Sequence, residues 1–161
     1  LFKYKSYAEL LKRNCELMYK TKYYELKELA HPQIISAIGE YNTWLRLEEL
    51  SLKDLQKIRS KWYSVYGTGV YCNRLNLGID SRGLRPPNDS DGSYYSTHKQ
   101  GTTFDLEPVN GEHKLFWEFV YDMIVNGELE YFNTMERRED TPTWTHVGRM
   151  NTNEKPLVIK P

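Results

Sequence analysis

The spacing of apolar residues changes at Gly67, and no single kind of element can span that change. Upstream, apolar side chains recur every three or four residues. Tyr7, Leu11, Cys15 and Met18, widened by Leu10 and Leu17, form one such stripe, with Lys12, Arg13 and Glu16 on the face between. Ile34, Ile35, Ile38, Tyr41, Trp44 and Leu45 form a second, and Leu52, Leu55, Ile58 and Trp62 a third. That spacing gathers side chains on one side of an α-helix. Start signals accompany it. Ser6 and Glu9 have capping-box spacing, Pro32 suits a first helical turn, and Ser51 with Asp54 repeats the capping pattern with Asp for Glu. A shorter helical pattern covers Tyr23 to Ala30 and stops at His31-Pro32.

After Gly67 the chain turns to Gly, Asn, Asp and Pro. Val70 to Leu77 alternates loosely, as a strand does. Ser81 to Gly92 is rich in turn formers, including Pro86-Pro87 and Asp91-Gly92. Thr102 to Leu106 reads as a short strand. Glu112 to Val125 reads as a helix with Leu115, Phe116, Phe119, Val120 and Met123 on one side, stopped by Asn126-Gly127. Leu129 to Met135 and Thr143 to Val147 read as two strands joined by the polar hairpin loop Arg137 to Pro142. The tail after Met150 has no periodicity and is expected to pack loosely. The resulting fold class is α+β: an N-terminal helical region over residues 1–66, then a small-sheet α+β domain over 67–161.

Composition excludes some functions. Lys and Arg number 22 and so do Asp and Glu, so the formal net charge is zero. That disfavours a broadly basic nucleic-acid binder. Lys and Tyr interleave at Lys3, Tyr4, Lys5, Tyr19, Lys20, Lys22 and Tyr23, a pattern that suits contact with nucleic acid or glycan but is better explained by a solvated helical face. No stretch reaches the roughly 20 apolar residues of a membrane-spanning helix. Cys15 and Cys72 lie too far apart in sequence for a CxxC metal pair and are read as buried thiols.

The residues that carry chemistry cluster in Tyr94-Tyr95-Ser96-Thr97-His98-Lys99-Gln100-Gly101-Thr102-Thr103-Phe104-Asp105. A glycine lies between His98 and Asp105, so a loop can fold back and bring imidazole and carboxylate together. Thr143-Trp144-Thr145-His146-Val147 places another histidine on a strand beside an aromatic ring. Two His and one Asp make a three-ligand set for zinc with the fourth position open. His31, before Pro32, reads as a helix cap. His113 reads as a solvated residue opening its helix, and it is the substitute ligand should His146 not serve.

Together these segments resemble a known family. Ser96-x-His98-x-x-Gly101-x-Thr103-x-Asp105 is similar to the Ser-x-His-x-x-Gly-x-Ala-x-Asp motif of the D-alanyl-D-alanine carboxypeptidase and VanX-like zinc peptidases. Phage L-alanyl-D-glutamate endolysins belong to the same group, and the hedgehog signalling domain shares its fold. Ser81-Arg82-Gly83-Leu84-Arg85-Pro86-Pro87-Asn88 resembles the family's Ser-Gly-x-Arg-Ser-Pro turn, and Trp144-x-His146-Val147 its Trp-x-His strand. The likeness covers roughly residues 70 to 150. It implies a small antiparallel sheet with flanking helices, and Zn²⁺ held by His98, Asp105 and His146. It also implies Arg85 facing substrate to stabilise an oxyanion or a peptide carboxylate, and Ser96 ordering the loop. Tyr95 and Trp144 would wall a substrate groove. The implied substrate is a peptidoglycan stem peptide, cleaved as a carboxypeptidase or an endopeptidase would. With Leu1 preceded by no leader-like stretch, the expected setting is a phage particle or the host cytoplasm before lysis. The N-terminal helices would then serve self-association, wall binding or virion docking.

The sequence departs from the family pattern at two positions. The family's Ala is Thr103 here, and the acid that many members carry three residues before the last His is Thr143. A threonine cannot act as a base near neutral pH. Glu136 is the first candidate for that role, because a hairpin can bring it across from His146. Asp140 is the second, and Glu139 lies in the same loop. The alternative is a non-catalytic zinc-binding structural or wall-binding protein that keeps the fold.

Overall fold

The computed structural model describes residues 18–90, 96–152 and 156–160. The helix expected from Tyr7, with its Ser6–Glu9 cap and Cys15, lies outside the described residues, as does Tyr95.

Helix α1 is a single turn, Leu26–Leu29, closed by a capping box between Glu25 and Glu28. It is shorter than the Tyr23 to Ala30 pattern because the chain becomes extended at Ala30 and bridges to Leu84. Helix α2, Pro32–Leu45, opens on proline, and the His31 ring accepts from the backbone N–H of Gln33. Gly39 adopts a φ of 77° and kinks α2, a conformation that favours glycine. Helix α3, Glu49–Tyr66, begins two residues before Ser51, with Glu48 as its cap. The Ser51 hydroxyl donates to the Glu48 carbonyl instead of starting the helix. Gly67, at φ 67°, ends α3 by donating its N–H to the Tyr63 carbonyl. The change in sequence rhythm is therefore a left-handed helix cap.

Beyond it lies a five-stranded sheet in the order β1-β2-β4-β3-β5. The strands are β1 Val70–Tyr71, β2 Phe104–Pro108, β3 Thr134–Glu136, β4 Thr145–Gly148 and β5 Leu157–Ile159. Strand β1 is shorter than expected because Leu75–Leu77 winds into a 3₁₀ turn. Helix α4, His113–Val125, runs between β2 and β3. Strand β3 takes only the end of the Leu129 to Met135 segment. The backbone before it reaches back to α3, where the fully buried carboxylate of Asp54 accepts from the N–H groups of Glu130, Tyr131 and Phe132.

Two expectations are corrected by β5. The sheet is mixed, because β5 runs parallel to β3 while the other pairs are antiparallel. The tail is also held in place: Leu157 donates to Asn133 and Arg137 donates to Ile159, covering the free edge of β3.

Residues on both sides of Gly67 build one core. Leu29, Leu55 and Trp62 pack in the same cluster as Phe104, Phe116 and Met135. Trp62 of α3 meets Phe116 of α4 edge-on at 4.9 Å and Phe119 at 5.2 Å. Such pairs add about 0.5–1.5 kcal/mol beyond the area they bury. The described helices thus form the floor on which the sheet rests. No described helix is long and apolar enough to cross a membrane.

Candidate metal centre

Three separate segments deliver the three expected ligands. His98 rides a 3₁₀ turn, Thr97–Gln100, that ends at Gly101 with φ 73°. A Cβ on Gly101 would stand 2.2 Å from the Arg46 carbonyl, so glycine alone lets this turn dock beside the end of α2. Asp105 is on β2 and His146 on β4, directly opposite one another in the antiparallel register. Thr103 fits where the family resemblance expects Ala because Gly148 faces it, and any Cβ there would stand 2.7 Å from the Thr103 hydroxyl.

Ligand atoms of His98, Asp105 and His146 lie within 4.8 Å of one another and can hold a metal ion. Asp105 Oδ1 is 3.4 Å from His98 Nε2 and 2.8 Å from His146 Nδ1. Tetrahedral bonds of about 2.1 Å place ligand atoms about 3.4 Å apart, so small movements seat an ion. The surrounding bonds favour that use. The Gly83 carbonyl, 3.0 Å from His98 Nδ1, can only accept, so Nδ1 carries a proton and Nε2 is the ring nitrogen that faces Asp105. Arg85 Nη2 takes the other Asp105 oxygen, Oδ2, at 3.3 Å, and Arg85 Nε donates to the Ser81 carbonyl. Oδ1 is thereby turned toward the two imidazoles. Burial pushes the Asp105 carboxyl up, but the charges and hydrogen bonds of His98 and His146 outweigh it and hold it well below the usual carboxylate range.

Glu136 is the end residue of β3. Met135 pairs with Val147, so the next step of that register sets Glu136 opposite His146. Asp105, His146 and Glu136 form a row across three neighbouring strands, and Glu136 Oε1 is 3.5 Å from His146 Nδ1. Burial raises the Glu136 carboxyl above its ordinary value; His146 works against the rise and Asp105 adds to it. The indole N–H of Trp117 on α4 donates to the Glu136 carbonyl and fixes the strand end.

A cavity of about 480 Å³ opens over this row, lined by Arg85, Ser96, His98, Asp105, Glu136, Trp144 and His146. Ser96 caps the His98 turn, its carbonyl receiving the Lys99 N–H. Trp144 stands at the wall with the Arg82 guanidinium 5.8 Å from its ring centre. Asp140, the second candidate base, lies elsewhere, bonded to Arg137 within the hairpin loop, and Thr143, at the motif position without the acid, is exposed and does not line the cavity. His31 is the expected cap, bonded also to Asp80. His113 corrects its expectation: it is partly buried, and its Nδ1 is enclosed at the start of α4 with no partner among the described residues. Cys72 is a buried thiol, pushed up by burial.

Sequence reasoning missed the contribution of the tail. Strand β5 and the end of β4 bring Arg149, Met150, Ile159 and Lys160 to the cavity. The triplet Leu157-Val158-Ile159 was the available signal, an apolar and β-branched run short enough to overlook. The fold and site define a mixed α+β protein with a buried His-Asp-His group under an open cavity. No family model, curated protein or solved structure matches the chain.

Proposed function

We propose that the protein is a zinc-dependent peptidase acting on peptidoglycan stem peptides. The observation that carries this reading is the row Asp105, His146, Glu136: a carboxylate not needed as a ligand stands 3.5 Å from a ligand histidine, inside the cavity. A peptidase of this kind needs a base within hydrogen-bond reach of the attacking water. Glu136 fills the role left vacant at Thr143, from the neighbouring strand.

His98, Asp105 and His146 would hold the ion. Zinc, when bound, supplies Lewis acidity at the scissile carbonyl. The chain's own residues do the rest. Glu136 Oε1 takes a proton from the attacking water as its oxygen bonds to the carbonyl carbon. As the C–N bond breaks, Glu136 returns that proton to the leaving nitrogen. Arg85 fixes Asp105 and lines the cavity where the carbonyl would lie. Trp144 offers an apolar wall for a short side chain. The likeness of the Ser96 to Asp105 segment to the zinc peptidase motif supports the choice of metal and substrate class.

The test is incubation of zinc-loaded protein with purified sacculi, followed by assay of new amino groups and truncated stem peptides. New amines, absent with Glu136→Gln, are the expected result. Sacculus binding without any cleavage would return the protein to the alternative reading, a zinc-holding wall-binding protein.

A further inference from the structure

A separate cavity lies on the helical side of the molecule and shares no lining residue with the metal centre. It measures about 400 Å³ and is lined by Tyr23, Arg59, Ser60, Tyr63 and Gly69. Arg59, Ser60 and Tyr63 come from the last turns of α3. The left-handed cap at Gly67 then turns the chain, and Gly69 returns beside Arg59, where an added Cβ would stand 3.9 Å from Arg59 Nη2. The Tyr23 and Tyr63 rings are 41% and 62% exposed, whereas Trp62, next to Tyr63 in sequence, is fully buried. Core packing therefore does not account for the two tyrosines. Tyr23 also belongs to the Lys-Tyr interleaving of the sequence, and Lys22 Nζ lies 5.4 Å from the centre of its ring.

Arg59 brings a charge to this cavity. Its guanidinium carbon is 4.5 Å from the centre of the Tyr24 ring. Its Nη1 is enclosed and has no hydrogen-bond partner among the described residues, and the same is true of the Tyr24 hydroxyl. Arg74, Arg82, Arg85 and Arg137 each pair with a carboxylate. A guanidinium drawn partly out of water without such a partner is costly, and an anion entering the cavity would supply one. The planar fork of arginine matches a carboxylate. Tyrosine rings offer a flat ring their faces and edges, and a few polar groups among aromatic walls are what a small-molecule site requires. The described lining holds one aliphatic hydroxyl, on Ser60, too few to satisfy the several hydroxyls of a sugar. We infer that this cavity is a binding site for an aromatic carboxylate. The acid group meets Arg59 and the ring lies against Tyr23 and Tyr63. The site stands apart from the metal centre, and the inference does not depend on the peptidase reading.

The test is calorimetric titration of the full chain with naphthoate, with its neutral amide naphthamide, and with glucuronate, a carboxylate on a sugar ring. Naphthoate is expected to bind at one site per chain, about 10- to 100-fold more tightly than naphthamide, the range of a charge-assisted hydrogen bond. Arg59→Gln should erase that difference by weakening the acid alone. Tyr63→Ala, a change at an exposed ring, should weaken acid and amide together and leave their ratio intact. Neither variant should alter zinc content. Equal affinity of the native chain for acid and amide overturns the inference, and this comparison holds even if Arg59→Gln does not fold. So does an Arg59→Gln protein that keeps the preference for the acid, or a native chain that binds no naphthoate. Tighter binding of glucuronate than of naphthoate overturns the choice of an aromatic ligand in favour of an acidic sugar.

Discussion

At the residue scale, the site depends on bonds that aim the ligands as much as on the ligands themselves. Gly83 shows this. Its carbonyl holds His98 Nδ1, and its Cα packs so close to Leu29 that an added Cβ would stand 2.1 Å from the Leu29 carbonyl. Gly83→Ala is therefore expected to push the turn away and loosen His98. Zinc affinity should fall about 10- to 100-fold, as for other losses of an outer-shell partner, measured by competition with a chromogenic chelator. Glu136→Gln is expected to keep one zinc per chain and lose about 10²- to 10⁴-fold in stem-peptide hydrolysis; unchanged hydrolysis would remove Glu136 from the mechanism. His98 and Asp105 were legible as candidate ligands because a glycine between them marks a loop that can fold back, and His146 because it lies on a short strand beside an aromatic residue. Glu136 was legible only as one of several acids. What singled it out was the strand register, which depends on long-range pairing that the sequence does not display. Thr143, by contrast, sits at the motif position but is exposed and does not line the cavity.

At the element scale, helix α3 and the segment before β3 depend on Asp54. Sequence spacing assigns this residue to a helix start, by analogy with Ser6 and Glu9. The structure begins the helix earlier and uses the carboxylate to satisfy three backbone N–H groups that no strand partner reaches. Local capping rules cannot foresee this, because the beneficiaries lie about 76 residues away. Asp54→Ala would leave those donors without their acceptor, the Phe132 N–H in the core and the other two part-buried, a loss of about 2–4 kcal/mol, read as a lower urea midpoint with an unchanged m-value. Asp54→Asn retains one acceptor oxygen and should lose less. The apolar stripes of α3 and α4 were legible in most positions, since Leu52, Leu55, Ile58, Trp62, Phe116, Val120 and Met123 are buried as their spacing requires, whereas Leu115, expected on the same side of α4, is exposed. The strand ends were not. Strand β5 in particular has only three residues and gains its place from the free edge of β3.

At the scale of the whole molecule, one core links the described helices to the sheet, and the ligand group closes the sheet surface above it. Zinc binding should accordingly stabilise the entire fold. At free zinc about 100 times its Kd, the gain is about 2.7 kcal/mol, which for a chain of this size raises Tm by roughly 5–10 °C. Scanning calorimetry before and after chelation reads it directly, and His98→Ala should abolish the difference. The α+β class was legible from the switch at Gly67. The mixed sheet was not, because its parallel strand comes from a tail without periodicity. The central claim is that His98, Asp105 and His146 form one metal centre. Its most direct measurement is the zinc content of protein dialysed against zinc and then metal-free buffer, for the native chain and for His146→Ala. The account predicts one zinc per native chain and a loss of most of it in the variant. A native chain without zinc, or a variant that keeps it, would contradict the account.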